Sequence, residues 1–145
     1  MKRIRVPLVA FATSIAALVV APQVADATPA NCNAGQFCIW RDTNWKTNGS
    51  SANGIAGYYY IPGLHLWAWP AGNGNANDSA TSEWNAGNNS EPVYVYKDKN
   101  CTGQYFIATA GNGSGNLGVN PGGWNDVMSS WAFASQIEKC YKAGT

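Results

Sequence analysis

Charge is what this chain has least of: nine Lys and Arg and eight Asp and Glu in 145 residues, a share of 12%, against about 25% in a typical globular protein. The formal net charge of +1 leaves no basic footprint for nucleic acid. Aromatic residues without a basic groove also argue against a single-strand binder. Histidine is nearly missing. His65, the one copy, lies between Leu64 and Leu66 and reads as structural or exposed rather than catalytic. No serine sits in a Gly-x-Ser-x-Gly elbow, and no Cys-x2-Cys or Cys/His grouping suggests zinc. Glu83, Glu91 and Glu138 are scattered among turns and ends. Their spacing alone leaves a glycosidase pair open, yet no convincing catalytic constellation emerges, and the expectation is a protein that is not an enzyme. Helical periodicity is absent as well, since Leu, Ala, Glu and Lys never accumulate at 3.6-residue spacing after the first 27 residues.

Residues 1–27 carry the marks of a secretory signal peptide. Lys2, Arg3 and Arg5 precede an apolar run from Val6 to Val20, broken by Thr13 and Ser14, and Ala25-Asp26-Ala27 supplies a small-x-small cleavage site. The run is short and interrupted for a membrane span. Cleavage after Ala27 would release a secreted chain, 28–145, free of the membrane and of a size usual for one domain.

What is abundant after the leader is Trp, Tyr, Gly and Asn, a composition suited to short strands joined by tight turns. Strands are expected at Phe37–Arg41, Tyr58–Ile61, Leu64–Trp69, Val93–Lys97, Gln104–Ala108 and Ser130–Ala134, with a last one near Gln136–Tyr141. Pro62-Gly63, Ala71–Gly74, Asn88–Ser90 and the run Gly111–Gly115 punctuate them. Regularly spaced short strands indicate an all-β sandwich or barrel. Alternation nominates Phe37, Ile39, Val93, Val95, Phe106, Ala132 and Ala134 as inward-facing. Pro92, able to open a strand but not to continue a central one, marks a border between two halves, about 32–90 and 91–145. The four cysteines, Cys32, Cys38, Cys101 and Cys140, all follow the leader and imply two disulfides, with three pairings open.

One motif is written twice. Asn77-Asp78-Ser79-Ala80-Thr81-Ser82 and Asn125-Asp126-Val127-Met128-Ser129-Ser130 each set an Asn-Asp pair two residues ahead of a hydroxyl pair. Such clusters commonly form turns whose side chains bond their own backbone. Hard oxygen ligands gathered in a tight loop also suit calcium. Upstream, Phe37–Trp45 can be laid on Val93–Cys101: a hydrophobic run, a basic residue, Asp, any residue, Asn, then a large or sulfur-bearing residue, with Gly49 and Gly103 following.

Both copies satisfy [N/D]-[N/D]-x-x-[S/T]-S, the pattern that resembles the calcium motif of βγ-crystallin domains, and the upstream match resembles the first hairpin of a crystallin Greek key. A secreted chain of two such keys, opening on Cys-x5-Cys with Phe-Cys-x-Trp, is similar to the bacterial peptidase inhibitor family I36, named for an inhibitor of thermolysin-like metalloproteases. The implied fold is an all-β, βγ-crystallin-like sandwich of two Greek keys. Cys32–Cys38 would close a short N-terminal loop resembling the family's opening disulfide, and Cys101–Cys140 would tie the second hairpin turn to the last strand. By the same resemblance, one calcium ion would take Thr81 and the Ser79 carbonyl with Asp126. The other would take Ser129 and the Val127 carbonyl with Asp78, while Asn77, Asn125, Ser82 and Ser130 brace the loops.

The function implied is inhibition of a secreted metalloprotease by a monomeric, calcium-binding scaffold, although the named inhibitor's second short cysteine-bounded loop is not reproduced by the distant Cys101 and Cys140. A calcium-stabilised structural or surface protein without an enzyme target is the first alternative. A carbohydrate or cell-wall module is the second, resting on the seven tryptophans. Trp84 and Trp131, close behind the motifs, read as structural. Trp67 and Trp69, two apart and so on one face of a strand, are the better candidates for stacking on a polysaccharide.

Overall fold

A computed structural model describes residues 29–88 and 90–143, so the expected leader, 1–27, lies outside the described residues. The described residues form eight strands: β1 (Phe37–Trp40), β2 (Ile55–Gly57), β3 (Tyr60–Ile61), β4 (Ser82–Asn85), β5 (Val93–Asp98), β6 (Thr102–Ala108), β7 (Asn112–Ser114) and β8 (Ser130–Phe133). They assemble into two antiparallel four-stranded sheets, ordered β2-β1-β4-β7 and β3-β8-β5-β6. Each half contributes three strands to its own sheet and sends its third strand, β3 or β7, to the edge of the other. Two Greek keys are thereby interlocked, as the internal repeat leads one to expect.

The core lies between the sheets. Phe37 and Ile39 of β1, Val93 and Val95 of β5, and Trp131 and Phe133 of β8 are buried together there. Phe106, opposite Val95 in the ladder, packs against the same core. The inward pair on β8 is therefore Trp131 and Phe133, one register step away from the expected Ala132 and Ala134. Trp131 lies opposite Val95 and Phe133 opposite Val93, and a one-residue step moves a side chain to the other face. The two large aromatics fill the interior, where Trp131 meets Phe37 and Phe133 edge to face at centroid distances of 5.1 and 6.1 Å. Ala132 is buried on the outer face instead.

Each sheet carries one disulfide on that outer face. Cys32–Cys38 sits with Trp40 and Trp84 on the first sheet, and Cys101–Cys140 with Tyr96 and Ala132 on the second. The Cys32–Cys38, Cys101–Cys140 pairing is thus the one present. The expected last strand is a short helix, α1 (Ile137–Lys142). Its Ile137 and Cys140, three apart, share the face turned to the second sheet, which is helical spacing.

Two further strand assignments change. Tyr58–Ile61 is not one strand: β2 pairs with β1, the chain crosses at Tyr58 and Tyr59, and β3 pairs with β8. Leu64–Trp69 holds a 3-10 turn, Leu64–Leu66, in which the Trp67 N–H bonds the Leu64 carbonyl at 2.9 Å while the Leu64 N–H reaches Ser129 O at 2.8 Å. These donors are spent on the turn and on the neighbouring loop, leaving no ladder for a strand. Gly111–Gly115, expected as a turn, contains β7. A Cβ at Gly113 would stand 2.4 Å from the Glu83 carbonyl oxygen and 2.8 Å from Trp84 Cα, so glycine is what lets this strand close on β4.

Candidate functional site

The two Asn-Asp motifs meet at the junction of the halves and hold each other by a reciprocal pair of backbone bonds. The Asp78 N–H donates to Met128 O at 3.0 Å, and the Asp126 N–H donates to Ala80 O at 3.1 Å. Both aspartates adopt the left-handed conformation, with φ of 50° and 56°, which Asp tolerates because its short side chain bonds locally. In each loop the first-position amide serves the neighbouring carboxylate: Asn77 Nδ2 donates to Asp78 Oδ2 at 2.6 Å, and Asn125 Nδ2 donates to Asp126 Oδ2.

The third-position side chains anchor the loops. Ser79 Oγ accepts from Trp69 Nε1 at 2.9 Å and donates to Asn75 O at 2.8 Å, while Val127 packs against the core. At the fifth positions, the Thr81 N–H goes to Trp40 O and the Ser129 N–H to Tyr96 O, and the carbonyls accept from Leu117 and Leu64. With backbone donor and acceptor both engaged, what each fifth residue offers is its hydroxyl. Ser129 Oγ donates to Asp78 Oδ1 at 3.0 Å, 51 residues away. The fifth-position hydroxyl of one motif and the second-position carboxylate of the other are thus brought into direct contact on this side.

The sixth-position serines do a different job, and they do it identically. Ser82 Oγ donates to Asp42 O and accepts the Trp45 N–H; Ser130 Oγ donates to Asp98 O and accepts the Cys101 N–H. Each serine closes the Asp-x-Asn hairpin of its own repeat, whose last two residues, Asn44-Trp45 and Asn100-Cys101, all have φ between 54° and 59°.

Asp78 and Asp126 are exposed, whereas Ser129 is buried. Asn77, Asp78, Ser129, His65 and Lys97 line an open hollow of about 570 Å³. Lys97 Nζ is drawn over the Trp124 ring, 5.1 Å from its centroid. The donors available at the motifs are carboxylate, hydroxyl and carbonyl oxygens, a set that fits a hard cation such as calcium and not zinc. Among the described residues no group of three His, Cys, Asp or Glu gathers.

The tryptophan pair divides. Trp69 is buried, held by Ser79, and only Trp67 is exposed, so the flat two-ring platform does not form. Glu83, set aside on the sequence among turns, lies in β4 and is 3% exposed. Burial pushes its carboxyl pKa up to about 8, against a smaller downward pull from the Ser114 backbone N–H. The signal that could have found it is the repeat itself: Ser82–Asn85 follows the first motif as the expected strand Ser130–Ala134 follows the second.

Solved structures that share this fold include the following three. One was described under the evolution of the eye-lens βγ-crystallin domain fold, with 14% identity, a TM-score of 0.56, and coverage of 72% of this chain and 91% of that one. A βγ-crystallin from Ciona intestinalis gives 17% identity and a TM-score of 0.52, with 68% and 99% covered. A βγ-crystallin from an archaeon gives 16% and 0.50, with 70% and 99% covered. No curated protein matches the chain. The model of peptidase inhibitor family I36 matches residues 25–108, more than half of the sequence and all of its first Greek key, and the chain belongs to that family.

Proposed function

We propose that this protein is a secreted inhibitor of a metalloprotease, a single monomeric domain that follows a cleaved leader and is stiffened by two calcium ions. The observation that carries the reading is the family match over residues 25–108. Two disulfides suit an oxidising compartment, and among the described residues no helix is long and apolar enough to cross a membrane.

An inhibitor needs an exposed, rigid segment that loses little entropy on docking. Leu66 and Trp67 supply one inside the matched span. They are 76% and 43% exposed, and they stand on a short turn fixed at either end by the buried Leu64 and Trp69. Calcium is assigned to Asp78, Ser129 and the Val127 carbonyl on one side, and to Asp126, Thr81 and the Ser79 carbonyl on the other. The reciprocal Asp78 and Asp126 backbone bonds support this, because they set the two motifs side by side. One carboxylate per ion places affinity in the weaker range, about 10⁻⁵ to 10⁻³ M.

Titration of a thermolysin-type metalloprotease with the pure secreted protein tests the reading, with Leu66→Ala expected to weaken inhibition. Unchanged protease activity at micromolar protein, with calcium binding intact, would leave the calcium-stabilised structural protein as the better account. That second reading is favoured by the paired motif loops themselves, which join the halves whatever the partner.

A further inference from the structure

The two halves are related by an internal two-fold, and at one row of the interior the relation breaks. In the second sheet, Ile61, Trp131 and Val95 lie side by side on β3, β8 and β5. The equivalent row of the first sheet is Ser114, Glu83 and Ile39 on β7, β4 and β1. A serine and a carboxylic acid stand where the other half has isoleucine and tryptophan. Among the described residues, the two buried side-chain polar atoms lacking a hydrogen-bond partner are Trp131 Nε1 and Glu83 Oε2, at the same position of the repeat.

The consequence for space is direct. Trp131 fills its half, whereas Glu83 lines a cleft of about 260 Å³ that opens at the flank of the sandwich between the edge strands β6 and β7. Phe106, Ile107 and Pro121 give it apolar walls, and Asn112, Asn120 and Thr109 its polar lining. Asn112 Oδ1 accepts the Gly113 N–H at 2.8 Å, and the Asn120 carbonyl accepts the Ser114 hydroxyl. The polar atoms placed by these bonds are thus acceptors. From β1, Ile39 faces Glu83; from β7, Ser114; from β6, Phe106 to Ala108; from the turn after β7, Asn120 and Pro121. None of these is titratable, so Glu83 is the single ionisable group in the lining.

We propose that the Glu83 cleft is a binding site for an organic cation, an ammonium or guanidinium on a short apolar stem, with the charge on Oε2 and the stem between Phe106, Ile107 and Pro121. A buried carboxyl whose Oε2 lacks a partner and whose lining offers no basic group is completed by a cation, and the apolar walls accept the stem that carries it. The source is either a free amine or the Lys or Arg side chain of a partner protein.

The test follows Glu83, Ser114 and Asn112 amide shifts by NMR while the disulfide-bonded protein is titrated with n-butylammonium. Saturable shifts with Kd on the order of millimolar are expected. Glu83→Gln, which preserves shape, and Glu83→Leu, which replaces the acid with an apolar group, should both lose the response while keeping the rest of the spectrum. Uncharged n-butanol should give none. An acetylated and amidated Ala-Lys-Ala peptide separates the sources: binding of peptide and amine alike points to a protein side chain, and binding of the amine alone to a small molecule. Equal affinity for n-butanol, retention of n-butylammonium by Glu83→Leu, or no shift with either cation would overturn the assignment.

Discussion

Ser129 donates its hydroxyl to Asp78 Oδ1 at 3.0 Å, joining the fifth residue of the second motif to the second residue of the first across the junction of the two halves. The bond makes the loops interdependent, because each motif supplies part of the environment of the other.

On the proposed assignment calcium should bind twice, and each loss should be felt by the partner motif. Asp78→Ala should abolish the site that includes Ser129, and Asp126→Ala the site that includes Thr81. Ser129→Ala and Thr81→Ala should weaken binding less, since the carboxylate remains. Calorimetric titration after chelation should resolve two ions per chain in the parent and one in each aspartate variant. At a hundredfold excess over Kd each ion adds about 2.7 kcal/mol to folding, so the melting temperature should rise with calcium.

Glu83 makes the stability pH-dependent in a direction opposite to that of ordinary salt-bridged carboxylates. Its folded pKa is raised to about 8 from a reference of 4.5, so between these values the folded state holds a proton that the unfolded state has released. Stability is fully present below pH 4.5 and declines, by roughly 1.4 kcal/mol per pH unit at most, as pH rises toward 8. Denaturant melts between pH 5 and pH 8 should show this slope in the parent and a flat line in Glu83→Gln.

The two disulfides should contribute unequally. Cys101–Cys140 closes a loop with a separation of 39 residues and Cys32–Cys38 one of 6, for which chain entropy gives about 4 and about 2 kcal/mol. Replacing Cys101 and Cys140 together by Ser should lower the denaturation midpoint about twice as far as replacing Cys32 and Cys38.

Ser82→Ala and Ser130→Ala each leave a hairpin carbonyl and a hairpin N–H without their partner, at Asp42 and Trp45 or at Asp98 and Cys101. A cost of about 1 to 3 kcal/mol is expected for each. Both serines are fully buried, and the cost should be larger for Ser130 because the Cys101 N–H it accepts is buried, whereas the Trp45 N–H that Ser82 accepts is only partly so. Urea unfolding of the two variants is the measurement.

The two-key fold was legible because the repeat was: Asp42 and Asp98, Asn44 and Asn100, and the two Asn-Asp motifs recur in one order, and the structure superposes their roles down to Ser82 and Ser130. What the sequence concealed lay where local pattern and tertiary role diverge. Ile137 and Cys140 read as part of a strand because a six-residue helix is too short to show a period. Gly113 read as a turn because its reason for being glycine is the close approach of the β4 backbone at Glu83 and Trp84. Glu83 read as one of several scattered acids because a buried acid looks like any other until the ladder places it beside Ile39.

The exchange of third strands also sets an order of events during synthesis. The first sheet is ordered β2-β1-β4-β7, and its last member is residues 112–114, so the N-terminal half cannot complete its own sheet until most of the chain has been made. A chain still emerging from a ribosome or a translocation channel keeps the edge of β4 unpaired until that late segment arrives, and the interior stays open until β8 brings Trp131. Neither sheet can be completed from its own half of the chain, so the two halves depend on each other for their last strand.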